Sequence, residues 1–301
     1  MPTLYTHYKF GIDVLNKLDN NQKNEITNNI EYYNMFNQGF DNLYYYFKKW
    51  AYYRNFGINA HKKNIDVFFK NIFMYIKENN LEKNSELTNM IYGFINHYTI
   101  DTLIHPFINY QVSNLDIPHS KIEFMYDYYL IINENKKWQN KIYKTIIPKL
   151  KFSNELLELI NYSFYNTYKE ENIGKIFNKS HNISYFIHRY FIKDFKNIKT
   201  KLYKIADFLL PKNNIKFHKN TFNKDIDLRI LNNDKNTWNH PNNMNETYNY
   251  SLEELYNISL NISVYLNKLA YQILNNEKDI EELTSLINKI SLKNIQEFLL
   301  Q

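Results

Sequence analysis

The 301-residue chain has no cysteine, only 5 glycines and 6 prolines, and no apolar run near the roughly 18 residues of a membrane span. Without cysteine there is no disulfide framework, thiolate metal site or cysteine nucleophile. A metal site would have to be built from histidine and carboxylates. So few glycines and prolines exclude collagen-like and flexible-linker architectures and argue against a many-turned β-sandwich or barrel. They also leave no glycine-rich phosphate loop. The start, Met1-Pro2-Thr3-Leu4-Tyr5, lacks the basic segment and apolar core of a signal peptide. The expectation is a cytoplasmic protein with no transmembrane segment.

What is present is apolar surface. Hydrophobic residues make up 44% of the chain, with 28 Tyr and 21 Phe, enough to offset the entropy of ordering and to exclude a disordered chain. The 37 basic residues against 31 acidic ones give a net charge of +6. That mild bias would help attract phosphate-bearing substrates or an anionic lipid surface.

Helical periodicity dominates. After Ser85, a candidate N-cap, Leu87, Ile91, Phe94 and Tyr98 recur at spacings of three and four, and the helix is expected to end near Pro106. A second helix should open at Pro118, a good first-turn residue, and turn Ile122, Met125, Tyr126 and Tyr129 inward. Similar patterns occupy 6–18, 62–79, 153–169, 182–209, 251–274 and 278–299. Residues 212–250, crowded with Asn, Lys and Asp, read as a long solvated loop before two closing helices at 251–299. There is no repeat of fixed period. The expected fold class is all-α, a multi-helix bundle forming one domain over 1–301.

Nine histidines are present, and two have a carboxylate four residues later: His97 with Asp101 and His119 with Glu123. On a helix such residues share a face about 6 Å apart, so each pair could chelate one cation. Such pairs also serve as ordinary helix-surface contacts. Gly93, one turn before His97, leaves room beside it for another backbone or a ligand. His105 follows Asp101 by one turn, and both His97 and Asp101 lean towards the interior from the flank of the Leu87–Tyr98 stripe. A carboxylate placed there is costly unless it is paired or coordinates a metal. His181, His188, His218 and His240 have no partner at metal-ligand spacing and read as packing or surface residues.

Taken together, Thr6-His7-Tyr8-Lys9-Phe10-Gly11, Gln38-Gly39-Phe40-Asp41, His61, Gly93 to Asp101 with His97, His105-Pro106, and His119-Ser120-Lys121-Ile122-Glu123 occur in an order that resembles the zinc-dependent phospholipase C family. That all-α fold is shared with single-strand-specific zinc nucleases. The motifs cover residues 4–123, and a weaker likeness continues through Trp238-Asn239-His240-Pro241 and Ser251 to Leu255.

The resemblance implies a polynuclear cleft holding two or three Zn2+ ions. His61, His97 and Asp101 would hold one, and His105, His119 and Glu123 a second. Asp101 would bridge to a third, held by His7 and the chain's first amine. Asp41 would act as general base and as a further ligand of the first ion. Two positions depart from the family pattern. No Trp begins the chain as in secreted members, and Asn42 follows Asp41 where choline-preferring relatives carry Tyr. Tyr44, Tyr45 and Tyr46 nearby read as packing.

The function this implies is a metal-dependent phosphodiester hydrolase, phospholipase C-like, acting on a phospholipid headgroup with peripheral membrane contact. Two alternatives stay open: a single-strand nuclease or small-molecule phosphodiesterase of the same fold, and a non-catalytic, metal-stabilised interaction protein.

Overall fold

The computed structural model describes residues 4–134, 145–190, 226–295 and 298. Its longest helix, α6 (Ser85–Leu115), lies against most of the others, and its buried face runs from Leu87 to Gln111. Asn84 rather than Ser85 caps it, its side chain accepting from Glu86 N. Pro106 does not end it. A proline inside a helix removes one backbone bond and costs about 3 kcal/mol, but the turns beyond it bury Phe107, Ile108 and Gln111. Phe107 meets Trp238 edge to face at 5.2 Å. The helix stops at Asp116, whose φ of 52° is left-handed, and Pro118 sits at the N-cap of α7 (His119–Asn133).

Before α6 come α1 (Leu4–Lys17), α2 (Asn20–Thr27), α3 (Ile30–Phe36), a 3-10 turn over Gly39–Tyr45, a second over Phe47–Lys49, α4 (Trp50–Ala60) and α5 (Ile65–Glu78). After α7 come α8 (Asn154–Tyr168) and α9 (Ile173–Tyr190). The pattern expected over 182–209 therefore begins earlier, because Ile173 and Phe177 are buried; residues 191–209 lie outside the described residues. The closing helices are α10 (Leu252–Leu274) and α11 (Ile280–Lys289). Ser251 and Glu254 form a reciprocal capping box at the start of α10. The expected second closing helix is shorter than its pattern, giving way at Ile290 to a 3-10 turn over Leu292–Asn294.

Residues 226–250 are not the plain loop expected. They carry a 3-10 turn (Leu228–Leu231) and an antiparallel hairpin of β1 (Trp238–His240) and β2 (Asn243–Tyr248), with Trp238 opposite Tyr248. The cause is Trp238, which is buried on Phe107 and Tyr110 and donates from Nε1 to the Tyr250 carbonyl at 3.1 Å. Residues 212–225, including His218, lie outside the described residues. Among the described residues the fold is mostly helical, and no helix is long and apolar enough to cross a membrane. One continuous apolar core draws on residues from Phe10 to Ile295, and α6 packs on α3 and α10 through it.

Candidate metal centre

Five segments bring one side chain or more to a common cleft: α1 (His7), the first 3-10 turn (Asp41), the C-cap of α4 (His61), α6 (His97, Asp101 and His105) and α7 (His119 and Glu123). Two glycines make the approach possible. At Gly93 an added Cβ would lie 2.6 Å from Phe36 Cβ and 2.7 Å from its carbonyl carbon, so α3 can lie directly on α6. Gly39 has φ of +47°, and its Cβ would stand 2.0 Å from the His97 ring. Only glycine fits a left-handed residue pressed on that imidazole.

Asp101 is the hub. Its Oδ1 lies 3.3 Å from His7 Nε2 and 3.2 Å from His105 Nε2. Its Oδ2 lies 3.5 Å from His61 Nε2 and 3.6 Å from His97 Nε2. Asp41 Oδ1 is also 3.5 Å from His61 Nε2. Among the described residues two groups of ligand atoms result, each drawn together within 4.8 Å: His7, Asp41, His97 and Asp101 in one, and His105, His119 and Glu123 in the other. The second matches the trio the resemblance implies. In the first, His7 and Asp41 stand with His97 and Asp101, and His61 reaches the same place.

The ring orientations suit ligation. His61 donates from Nδ1 to the Gly57 carbonyl at 2.6 Å, which leaves the neutral ring's Nε2 lone pair facing the cleft. That atom is 2.7 Å from His97 Nε2, a contact between two nitrogens that calls for a proton or a cation. His119 Nδ1 lies 3.1 Å from Asn109 Oδ1, and its Nε2 lies 2.9 Å from Glu123 Oε1. Holding the far ring nitrogen in this way is how proteins orient a metal-binding histidine. The buried Nδ1 atoms of His7 and His97 have no hydrogen-bond partner.

The charges point the same way. Burial holds the His7, His61 and His97 imidazoles below their ordinary pKa, and so in the neutral form that binds metal. Burial pushes Asp41 well above the usual carboxylate range, and the charges of Asp101 and Glu123 add to it. Burial acts against ionisation of Asp101 too, yet His105, His97 and His7 together hold it well below that range. His105 loses by burial but gains more from Asp101, and rises to about 9. Among the described residues no Lys or Arg forms an ion pair with Asp41, Asp101 or Glu123. Three neutral imidazoles (His7, His61 and His97) beside the Asp101 carboxylate are a donor set that could hold a metal ion, and a cation there would compete with the proton on His105.

Three supports were not visible as such in the sequence. Tyr44, expected to be packing, hydrogen-bonds Asp41; the signal is its i+3 position on a 3-10 turn, where i and i+3 eclipse. Asp127, one turn beyond Glu123, accepts from Tyr5 N (3.1 Å), Thr6 N (2.8 Å) and Thr6 Oγ1 (2.6 Å), so α7 tethers the first turn of the helix bearing His7. Asn96, beside His97, donates to Tyr33 Oη (2.7 Å) and Asn37 Oδ1 (2.9 Å) and accepts from Ser263 Oγ (2.6 Å) and Asn267 Nδ2 (2.8 Å).

A small pocket walled by Ile100, Ile104, Ile108 and Tyr126 reaches His7, Asp101, His105 and Glu123. His181 and His188 are buried elsewhere. His181 Nε2 donates to the Pro148 carbonyl at 2.8 Å, and His188 Nδ1 to the Ser184 carbonyl at 2.7 Å. His240 stands on the hairpin, where its Nδ1 accepts from Asn242 N. Compared with protein-family models, curated proteins and solved structures, the chain matches none.

Proposed function

We propose that the chain is a zinc-dependent phosphodiester hydrolase of the phospholipase C type. The observation that carries this reading is the pair of ligand groups joined through Asp101, whose two oxygens face different histidines. A structural ion needs one closed set of about four ligands. Two adjoining sets, with carboxylates beside a small pocket that reaches His7, Asp101, His105 and Glu123, suit catalysis better. Imidazole and carboxylate without sulfur is a donor set that zinc accepts. His7, Asp41, His61, His97 and Asp101 would hold one part of the cluster, and His105, His119 and Glu123 the other.

When bound, closely spaced zinc ions lower the pKa of a water molecule and neutralise the non-bridging oxygens of a phosphodiester. The residues do the rest. Asp41, ionised once cations balance Asp101 and Glu123, accepts a proton from the attacking water, while Tyr44 fixes its orientation. The water oxygen bonds to phosphorus, the bond from phosphorus to the leaving alcohol's oxygen breaks, and that oxygen takes up a proton. The aliphatic wall of Ile100, Ile104 and Ile108 keeps bulk water from one side of the cleft.

The test is a substrate panel at matched zinc: short-chain phospholipids, single-stranded oligonucleotides and a chromogenic diester. Metal-dependent release of phosphorylated headgroup is expected. Cleavage of oligonucleotides alone would turn the reading to a nuclease, and no cleavage of any substrate would overturn the enzyme.

A further inference from the structure

Between Asp41 and His61 runs a segment that the metal centre does not use. Phe47 and Tyr52 are 43% and 52% exposed, although both are large aromatics. Lys48, Lys49 and Arg54 are exposed among them, and the Arg54 guanidinium lies 5.6 Å from the centroid of the half-buried Trp50 ring. These six side chains fall within eight residues, on the second 3-10 turn and the first turns of α4. No acid falls within 47–54, and the Tyr52 hydroxyl donates a hydrogen bond to Glu170.

We infer that residues 47–54 form a docking surface for an anionic lipid bilayer. Aromatic rings favour the level of the headgroups, and neighbouring cations are drawn to acidic phosphates there. Phe47 has no polar atom to satisfy and stands beside two ammonium groups, so its ring enters the acyl boundary while Lys48 and Lys49 stay among the headgroups. Trp50 and Arg54 repeat the pairing one turn on. The segment carries three cations and no acid of its own.

The patch is continuous with the metal centre. Tyr44, which hydrogen-bonds Asp41, feels the Arg54 charge, and its ring lies against the Gly57 position of α4. Through Tyr44 the patch lies one side chain from Asp41. The choice of a lipid surface over a nucleic-acid strand rests on the phospholipase reading, but vesicle binding itself does not need the metal.

The experiment uses the full chain stripped of metal by a chelator. It is sedimented with vesicles of phosphatidylcholine plus phosphatidylserine, and with phosphatidylcholine alone, at low and high salt. Binding to the serine-containing vesicles is expected, weakened by salt, with a blue shift in Trp50 emission that is lost in Trp50→Phe. Phe47→Ala with Tyr52→Ala, and separately Lys48→Glu with Lys49→Glu, should each lower the partition by about tenfold or more. Unchanged partition in both pairs overturns the proposal. So does absence of vesicle binding, whether or not a single-stranded oligonucleotide is retained through the same residues. Turnover of the chromogenic diester is measured apart on the zinc-loaded variants. Vesicle binding without any turnover would remove the hydrolase and leave the docking surface standing.

Discussion

His61 and His97 face each other through their Nε2 atoms at 2.7 Å, and the Gly57 carbonyl has already claimed the other nitrogen of His61. Two neutral imidazoles so placed can share a proton or bind a cation. Elemental analysis of the purified protein should find more than one zinc per chain, and chelation should lower its melting temperature. Asp101→Ala should lose the most metal, since both carboxylate oxygens face histidines. His119→Ala should lose only the ion of the group it shares with His105 and Glu123. Zinc near one per chain, unchanged by either variant, would contradict two adjoining sites.

In the proposed reaction Asp41 accepts the proton. Asp41→Asn should keep most of the metal, because three histidines and Asp101 remain around it, and lose about 10²–10⁴-fold in turnover. Tyr44→Phe should leave metal content unchanged, lower turnover less, and shift the pH profile, since the hydroxyl bond favours the charged form of Asp41. Unaltered turnover in Asp41→Asn would assign the base elsewhere.

Asp127 acts on the first turn of α1. Asp127→Ala strands the N–H groups of Tyr5 and Thr6 and the Thr6 hydroxyl, a loss of about 2–3 kcal/mol in unfolding free energy. Metal bound through His7 should weaken, while the group of His105, His119 and Glu123 keeps its ion. Denaturant melts and metal titration check the two effects separately.

His181 and His188 give a pH dependence away from the metal. Burial lowers each from 6.5 to about 4, so the unfolded chain binds protons more readily than the folded one between those values. Their contribution is complete above pH 6.5 and is lost as the pH falls towards 4, by up to about 3 kcal/mol each. His181→Gln should flatten the decline of stability over that window. A slope identical to that of the parent chain would exclude His181 as its source.

The sequence makes the bearing helices legible where local signals suffice. Leu87, Ile91 and Phe94 are buried on α6 as expected, but so is every residue from Leu87 to His97, and Tyr98 is only half-buried; Ser251 with Glu254 marks the start of α10. The inward lean of His97 and Asp101 follows from their angle to Leu87, Ile91 and Phe94. Pro106 misleads because the contacts that carry α6 past it are made with Trp238, far along the chain. For the same reason the hairpin is invisible in a stretch rich in Asn and Lys. The three short helices between Asn20 and Ala60 lack a long stripe, and the supports at Tyr44 and Asp127 depend on which segments meet.

All eight proposed ligands lie between His7 and Glu123, yet that stretch is not a self-sufficient unit. Asn96, the neighbour of His97, has its carbonyl oxygen fixed by Ser263 and Asn267 of α10. Gln22 donates to the Asn267 carbonyl, tying α2 to the same helix. Removing the last fifty residues would take away no ligand and still loosen the floor on which the ligands stand. A transplant of the centre to another scaffold must therefore carry α10 with it.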